Sequence, residues 1–163
     1  MNDVNHEKIE NLALSILDSY NITEPVVDVT KIAKDKGIEI KEISMPTGYN
    51  EVAGFYDKDQ KTIYIEASDK PSRKLFTIAH ELGHIFLEHT NYGVLFRIPK
   101  KDANYIKEEK EANSFAANLL MPVNMVFDYM EKYNLSHSDY KKMSDIFGVP
   151  IVAMKMRLED HLK

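Results

Sequence analysis

Apolar and polar positions recur along this chain with two periods, and the switches between them divide it into elements. From about Val4 to Tyr20 the apolar residues Ile9, Leu12, Ala13, Ile16 and Leu17 follow the i, i+3, i+4, i+7 spacing of one helix face. Asn21 to Pro25 interrupts that pattern, and Asp28 is placed to cap a short second helix ending at Gly37. The period then shortens. Ile38 to Ile43 alternates apolar and charged residues, and Val52 to Tyr56 and Lys61 to Ala67 flank Asp57-Lys58-Asp59-Gln60. The last two segments predict a hairpin, and all three together a small, mainly antiparallel sheet. Pro71-Ser72 opens a helix that continues to about Glu88, with Leu75, Ile78, Ala79, Leu82, Ile85 and Phe86 on one face. Another helix spans about Tyr105 to Leu120 and stops near Pro122; its apolar face is Tyr105, Ala112, Phe115, Ala116, Leu119 and Leu120. Beyond Pro122, Ser136 is expected to cap a helix to Phe147. Gly148-Val149-Pro150 makes a tight turn, and Ile151 to His161 resumes a helical pattern. These elements predict an α+β chain with its sheet packed on the helix that starts at Pro71. Residues 1–122 form the core, and residues 123–163 form a helical, helix-turn-helix-like subdomain packed on it.

Composition narrows the picture. The chain has 163 residues, enough for one domain, and its 44% hydrophobic and 29% charged content is that of an ordinary globular protein. A net charge of −5 disfavours nonspecific binding to nucleic acid or to membrane surfaces. The absence of cysteine removes any disulfide framework and fits a cytoplasmic protein. The start, Met1-Asn2-Asp3-Val4, lacks the basic run and apolar core of a signal peptide, and no apolar run approaches the roughly 20 residues of a membrane span. Lys141, Lys142, Lys155 and Arg157 in the last two helices are a weak DNA-binding signal; a packing subdomain is the simpler expectation. The methionines, including Met143, Met154 and Met156, are expected to fill the core.

The chemistry is concentrated in His80-Glu81-Leu82-Gly83-His84, a His-Glu-x-x-His sequence. Residues four apart on a helix sit one above the other, so both imidazoles can reach one Zn²⁺, and Glu81 is displaced so that it meets water at the metal. Both histidines lie opposite the apolar face, which places them in a cleft. Gly83 between them points to close packing there. A catalytic zinc usually takes three protein ligands, and the chain has no Cys to supply the third. Glu109 lies on the buried face of the next helix, where an unpaired charge is costly and a metal would compensate it. Glu108 lies nearer the edge and Glu111 points away; both are expected to be solvated, with Glu111 the alternative third ligand. Asn113, one turn on from Glu109, can accept a hydrogen bond from a ligand imidazole and fix its tautomer. His and carboxylate ligands also suit Mn²⁺ or Fe²⁺. His89 is badly phased to share the metal and, with His6, His137 and His161, is expected at the surface. The segment Thr90 to Asn104 is the expected lid, and Tyr92, Arg97 or Tyr105 is a possible oxyanion donor.

Thr77-Ile78-Ala79-His80-Glu81-Leu82-Gly83-His84, followed by Glu109-x-x-Ala112-Asn113-x-Phe115-Ala116-x-x-Leu119-Leu120-Met121-Pro122, resembles the ImmA/IrrE family of metallopeptidases. Val27-Asp28-Val29, Ile32-Ala33 and Gly37-Ile38 resemble the family's lead-in, so the likeness covers roughly residues 10–160. It implies a zincin-like fold and a cytoplasmic zinc protease with His80, His84 and Glu109 as ligands and Glu81 as general base. It also implies a substrate, since family members cleave helix-turn-helix repressors and relieve repression of mobile-element or stress-response genes. Two other functions compete: a DNA-binding regulator with a structural metal, and a protein that sequesters a repressor without cutting it. The sequence leaves the oligomeric state open.

Overall fold

The computed structural model describes residues 4–89 and 103–160. Asn5 and Asp28 each turn a side-chain oxygen back onto a backbone N–H, of Lys8 and Lys31, at 3.0 Å. These caps start α1 (His6–Ser19) and α2 (Val29–Asp35), which bury the apolar stripes the spacing predicts. Three strands follow: β1 (Glu39–Ile43), β2 (Gly54–Asp57) and β3 (Thr62–Glu66). Asp57 closes the β2–β3 hairpin by accepting from the N–H groups of Asp59 and Gln60.

The α+β expectation holds, with one correction to the sheet. The strand order is β1-β3-β2; β2 pairs with β3 antiparallel, but β1 pairs with β3 in parallel, Glu39 opposite Thr62 through Ile43 opposite Glu66. The sheet is therefore mixed rather than mainly antiparallel. Alternation in a sequence reports which face is buried and carries nothing about strand direction. The 44–53 connection is long enough to carry the chain past the position of β3 instead of reversing beside β1.

Pro71 occupies the first helical position of α3 (Pro71–Phe86), and α4 (Ala103–Leu120) follows beyond the undescribed segment. A Cβ on Gly83 would stand 3.0 Å from the Ala112 carbonyl oxygen and 3.1 Å from the Phe115 ring. The missing side chain lets α3 and α4 approach closely, as Gly83 suggested. The remaining helices are α5 (Val123–Lys132), α6 (Tyr140–Phe147) and α7 (Ile151–Asp160). Gly148, at φ +66°, turns the chain between α6 and α7. Ser136 does not cap α6. It lies in the turn before it, where its N–H and hydroxyl both donate to Asp139, and α6 starts only after Asp139.

One hydrophobic cluster runs through both sides of Pro122, joining Ile32, Ile63, Leu82 and Phe115 to Met143, Phe147 and Met154. Met143 and Met154 fill the core as expected, but Met156 is 59% exposed. The basic residues of the last two helices are occupied locally. Lys141 pairs with Asp145, Lys142 with Asp139 and Lys155 with Glu159, while Arg157 turns inward and donates to the Met121 carbonyl and to Asn118 Oδ1, each at 2.8 Å. Among the described residues no helix is long and apolar enough to cross a membrane.

Candidate metal centre

Helix α3 presents His80 and His84 one turn apart, and α4 presents Glu109 to both. The two Nε2 atoms are 3.0 Å apart, and Glu109 lies 3.4 Å from His80 Nε2 and 3.2 Å from His84 Nε2. All three ligand atoms lie within 4.8 Å of one another. Two imidazole nitrogens and a carboxylate, with a fourth position left for water, are the donor set of a catalytic zinc site. The residues present fit such an ion.

The other ring nitrogens are also engaged. His80 Nδ1 lies 2.9 Å from Asn113 Oδ1. An amide oxygen only accepts, so the Nδ1–H donates and Nε2 is left to face Glu109 and His84. His84 Nδ1 lies 2.9 Å from His89 Nδ1, and His89 Nε2 lies 3.1 Å from Glu111 Oε2. These contacts correct two expectations. His89 is buried rather than on the surface, and Glu111 is neither solvated nor turned into the ligand cluster; it sits against His89 and 3.6 Å from Lys107. Glu108 is buried too, in line along α4 with Ala112, Phe115 and Leu119. His6 is exposed, and His137 is half-buried beside the Phe127 ring. His161, and the lid expectation on Tyr92 and Arg97, lie outside the described residues.

Glu81 sits inside the fold next to this cluster. Burial pushes its carboxyl up to about 7, reinforced by the Glu109 charge and opposed by His80 and by a hydrogen bond from the Tyr56 backbone N–H. At His80, burial pulls the pKa down, but the Glu109 hydrogen bond, the charges of Glu81 and Glu109 and the Asn113 bond outweigh it, and the net direction is up. At His84, burial prevails over the Glu109 hydrogen bond and the direction is down. Glu109 moves far below the usual carboxylate range: burial acts upward, but the hydrogen bonds and charges of the two histidines dominate.

His80, Glu81 and Glu109 form one wall of a cleft of about 440 Å³, which Val52, Gly54 and Tyr105 also line, while His84 is buried behind it. Burial, with the Glu109 and Glu81 charges, raises the Tyr105 pKa, so its phenol keeps its proton. Strand β2 is an edge of the sheet, and its Tyr56 N–H points outward to Glu81, so that edge faces the cleft. A larger hollow of about 1130 Å³ opens between the start of α3 and the α6–α7 turn, away from the ligand cluster.

Residues 33–159 match the family described as the IrrE N-terminal-like domain, Peptidase_M78. The chain is 36% identical over 83 residues to the uncharacterized immunity region protein 2 of Bacillus phage phi105, covering 50% of this chain and 52% of that one. It is 27% identical over 99 residues to the radiation response metalloprotease IrrE of Deinococcus radiodurans, covering 60% of this chain and 29% of that one. The chain thus spans about half the length of one curated relative and under a third of the other. Its fold is similar to that of a Mycobacterium tuberculosis transcriptional regulator, with a TM-score of 0.71 and 16% identity, over 93% of this chain and 46% of that one.

Proposed function

Since the chain belongs to the IrrE N-terminal-like domain family, Peptidase_M78, we propose that it is a zinc-dependent endopeptidase of the cytoplasm that cuts a helix-turn-helix repressor at one site and so relieves repression. The observation that carries the hydrolytic part is a single cluster. His80, His84 and Glu109 converge on one point, and Glu81 stands beside it with a pKa near neutrality. The regulatory part rests on kinship with the phage immunity region protein and the radiation response metalloprotease.

His80, His84 and Glu109 would hold the metal, and Asn113 orients the His80 ring. When bound, the metal acidifies water and polarises the scissile carbonyl. Glu81 takes a proton from the attacking water as its oxygen joins the carbonyl carbon, then passes that proton to the amine as the C–N bond breaks. Burial favours the protonated form of this carboxyl, which suits Glu81 to hold the proton until the amine takes it. Tyr105, held protonated at the cleft, is the described side chain suited to donate to the oxyanion. An extended substrate would lie along β2, taking up the outward backbone groups of that edge.

The competing DNA-binding function finds little support. Three of the four basic side chains it would use have acidic neighbours on the same helix or cap, and the fourth is spent on α4.

The test incubates zinc-loaded protein, and Glu81→Gln beside it, with the helix-turn-helix repressor encoded nearest its gene, and reads the products by mass spectrometry. We expect one cut by wild type, and a Glu81→Gln variant that retains zinc but cuts about 10²–10⁴-fold more slowly. A stable uncut complex in both samples would establish sequestration instead. Equal cutting by the variant would remove Glu81 from the base role.

A further inference from the structure

His89 follows the end of α3, and the way that helix ends brings it back over His84. Leu87 closes the helix, Glu88 takes a left-handed conformation at φ +55°, and the His89 N–H donates to the His84 carbonyl at 3.0 Å while the Glu88 N–H donates to Ile85 at 3.2 Å. These are the paired 6→1 and 5→2 bonds of a Schellman ending, which normally places glycine at the left-handed position. A glutamate there is strained, and the reward visible in the structure is one contact: the two rings lie edge to face with centroids 5.0 Å apart and their Nδ1 atoms at 2.9 Å.

Two facing Nδ1 atoms at that distance need one donor and one acceptor. Which is which follows from the far ends of the chain. If His84 gives its Nε2 lone pair to a metal, its proton is on Nδ1, so His89 Nδ1 must accept. The proton of His89 is then on Nε2, facing the Glu111 carboxylate at 3.1 Å, with Lys107 3.6 Å beyond. In this arrangement each donor from His84 Nδ1 to His89 Nε2 meets an acceptor.

We propose that His89 and Glu111 are positioning residues for the metal site: Glu111 fixes the tautomer of His89, and His89 fixes the tautomer and orientation of His84. This inference rests on the proposed metal site. It gives the two ligand histidines different supports, an amide for His80 and a histidine–carboxylate pair for His84. Removing such outer partners typically weakens metal binding about 10–100-fold.

The experiment has two readouts besides activity. Long-range ¹H–¹⁵N correlation spectra of the zinc-loaded protein should show His84 protonated on Nδ1 and His89 on Nε2. Zinc titration against a competing chelator should give His89→Phe and Glu111→Ala a Kd about 10–100-fold above wild type. His89→Gln, whose amide can accept from His84 and donate to Glu111, should recover most of the affinity. Glu111→Ala guards against a folding defect, because it changes the less buried end of the pair. Its His89 spectrum should show a mixture of tautomers. Wild-type zinc affinity in His89→Phe and Glu111→Ala, or a His89 protonated on Nδ1, overturns the inference while leaving the metal site standing. Failure of wild type itself to bind zinc overturns both.

Discussion

Glu81 is held in an unfavourable place. Its carboxyl is buried and near the Glu109 charge, and its pKa stands at about 7 against an ordinary 4.5. Between those two pH values the unfolded chain gives up the proton and the folded chain keeps it. Unfolding therefore becomes easier as pH rises through the window, and the cost is absent below pH 4.5 and complete above about pH 7. In metal-free protein we expect Glu81→Gln to be more stable than wild type by about 1–3 kcal/mol at pH 8 and by little at pH 4.5, measured by urea unfolding. A variant no more stable at pH 8 would mean that burial does not penalise this carboxylate. The same side chain shows what a sequence can carry. His80, Glu81 and His84 were legible because their relation is set inside one helix by local spacing. Glu109 and Asn113 were legible from their places on the second helix relative to the His-Glu-x-x-His sequence, not from burial: the Glu109 side chain is 34% exposed, Asn113 is exposed, and Glu108 is the acid on the buried stripe. His89 was not. Its phasing assumed that α3 continues at ~100° per residue, whereas the helix has already ended and turned back. Nothing at Glu88 announces a left-handed residue.

That reversal makes Glu88 the hinge of the end of α3. A β-branched residue tolerates the left-handed region worse than glutamate does, and glycine tolerates it without strain. We expect Glu88→Val to lower stability by about 1–2 kcal/mol and to weaken zinc binding as His89 lifts from His84, with Glu88→Gly keeping full affinity. Equal affinity in all three proteins would uncouple the cap from the metal site. Other elements divide along similar lines. The extents of α1 and α2 followed from caps and breakers in the sequence, and the close approach of α3 to α4 from Gly83. The parallel β1–β3 pair did not, because direction depends on the path of the 44–53 connection rather than on any residue in the strands. Glu108 escaped too. The sequence pattern puts it at the edge of the apolar face, whereas it falls in line with Ala112, Phe115 and Leu119 and is buried with them.

The helices after Pro122 share the core of the preceding residues, and Arg157 ties them to it. Its guanidinium satisfies a carbonyl at the end of α4 and the amide oxygen of Asn118, on the same helix that supplies Glu109 and Asn113. Truncation would leave both acceptors without that donor. Arg157→Ala is expected to cost about 1–3 kcal/mol, read as a lower Tm with a single cooperative transition. Two separate transitions would instead show residues 123–163 melting as a unit of their own. Neither this contact nor the local pairing of Lys141, Lys142 and Lys155 is visible in composition, which records only that the chain is acidic.

The edge position of β2 has a consequence beyond catalysis. A strand margin that can accept a peptide can equally accept the same margin of another molecule, and repetition of that pairing is how soluble chains polymerise. Here the hazard is contained by dimension and charge. The strand runs only from Gly54 to Asp57, it ends on an acid, and one of its outward N–H groups is already taken by Glu81. Two copies meeting there would gain few hydrogen bonds, and each strand carries an acid at its end, so the feature that leaves room for a peptide is too short and too acidic to seed a fibre.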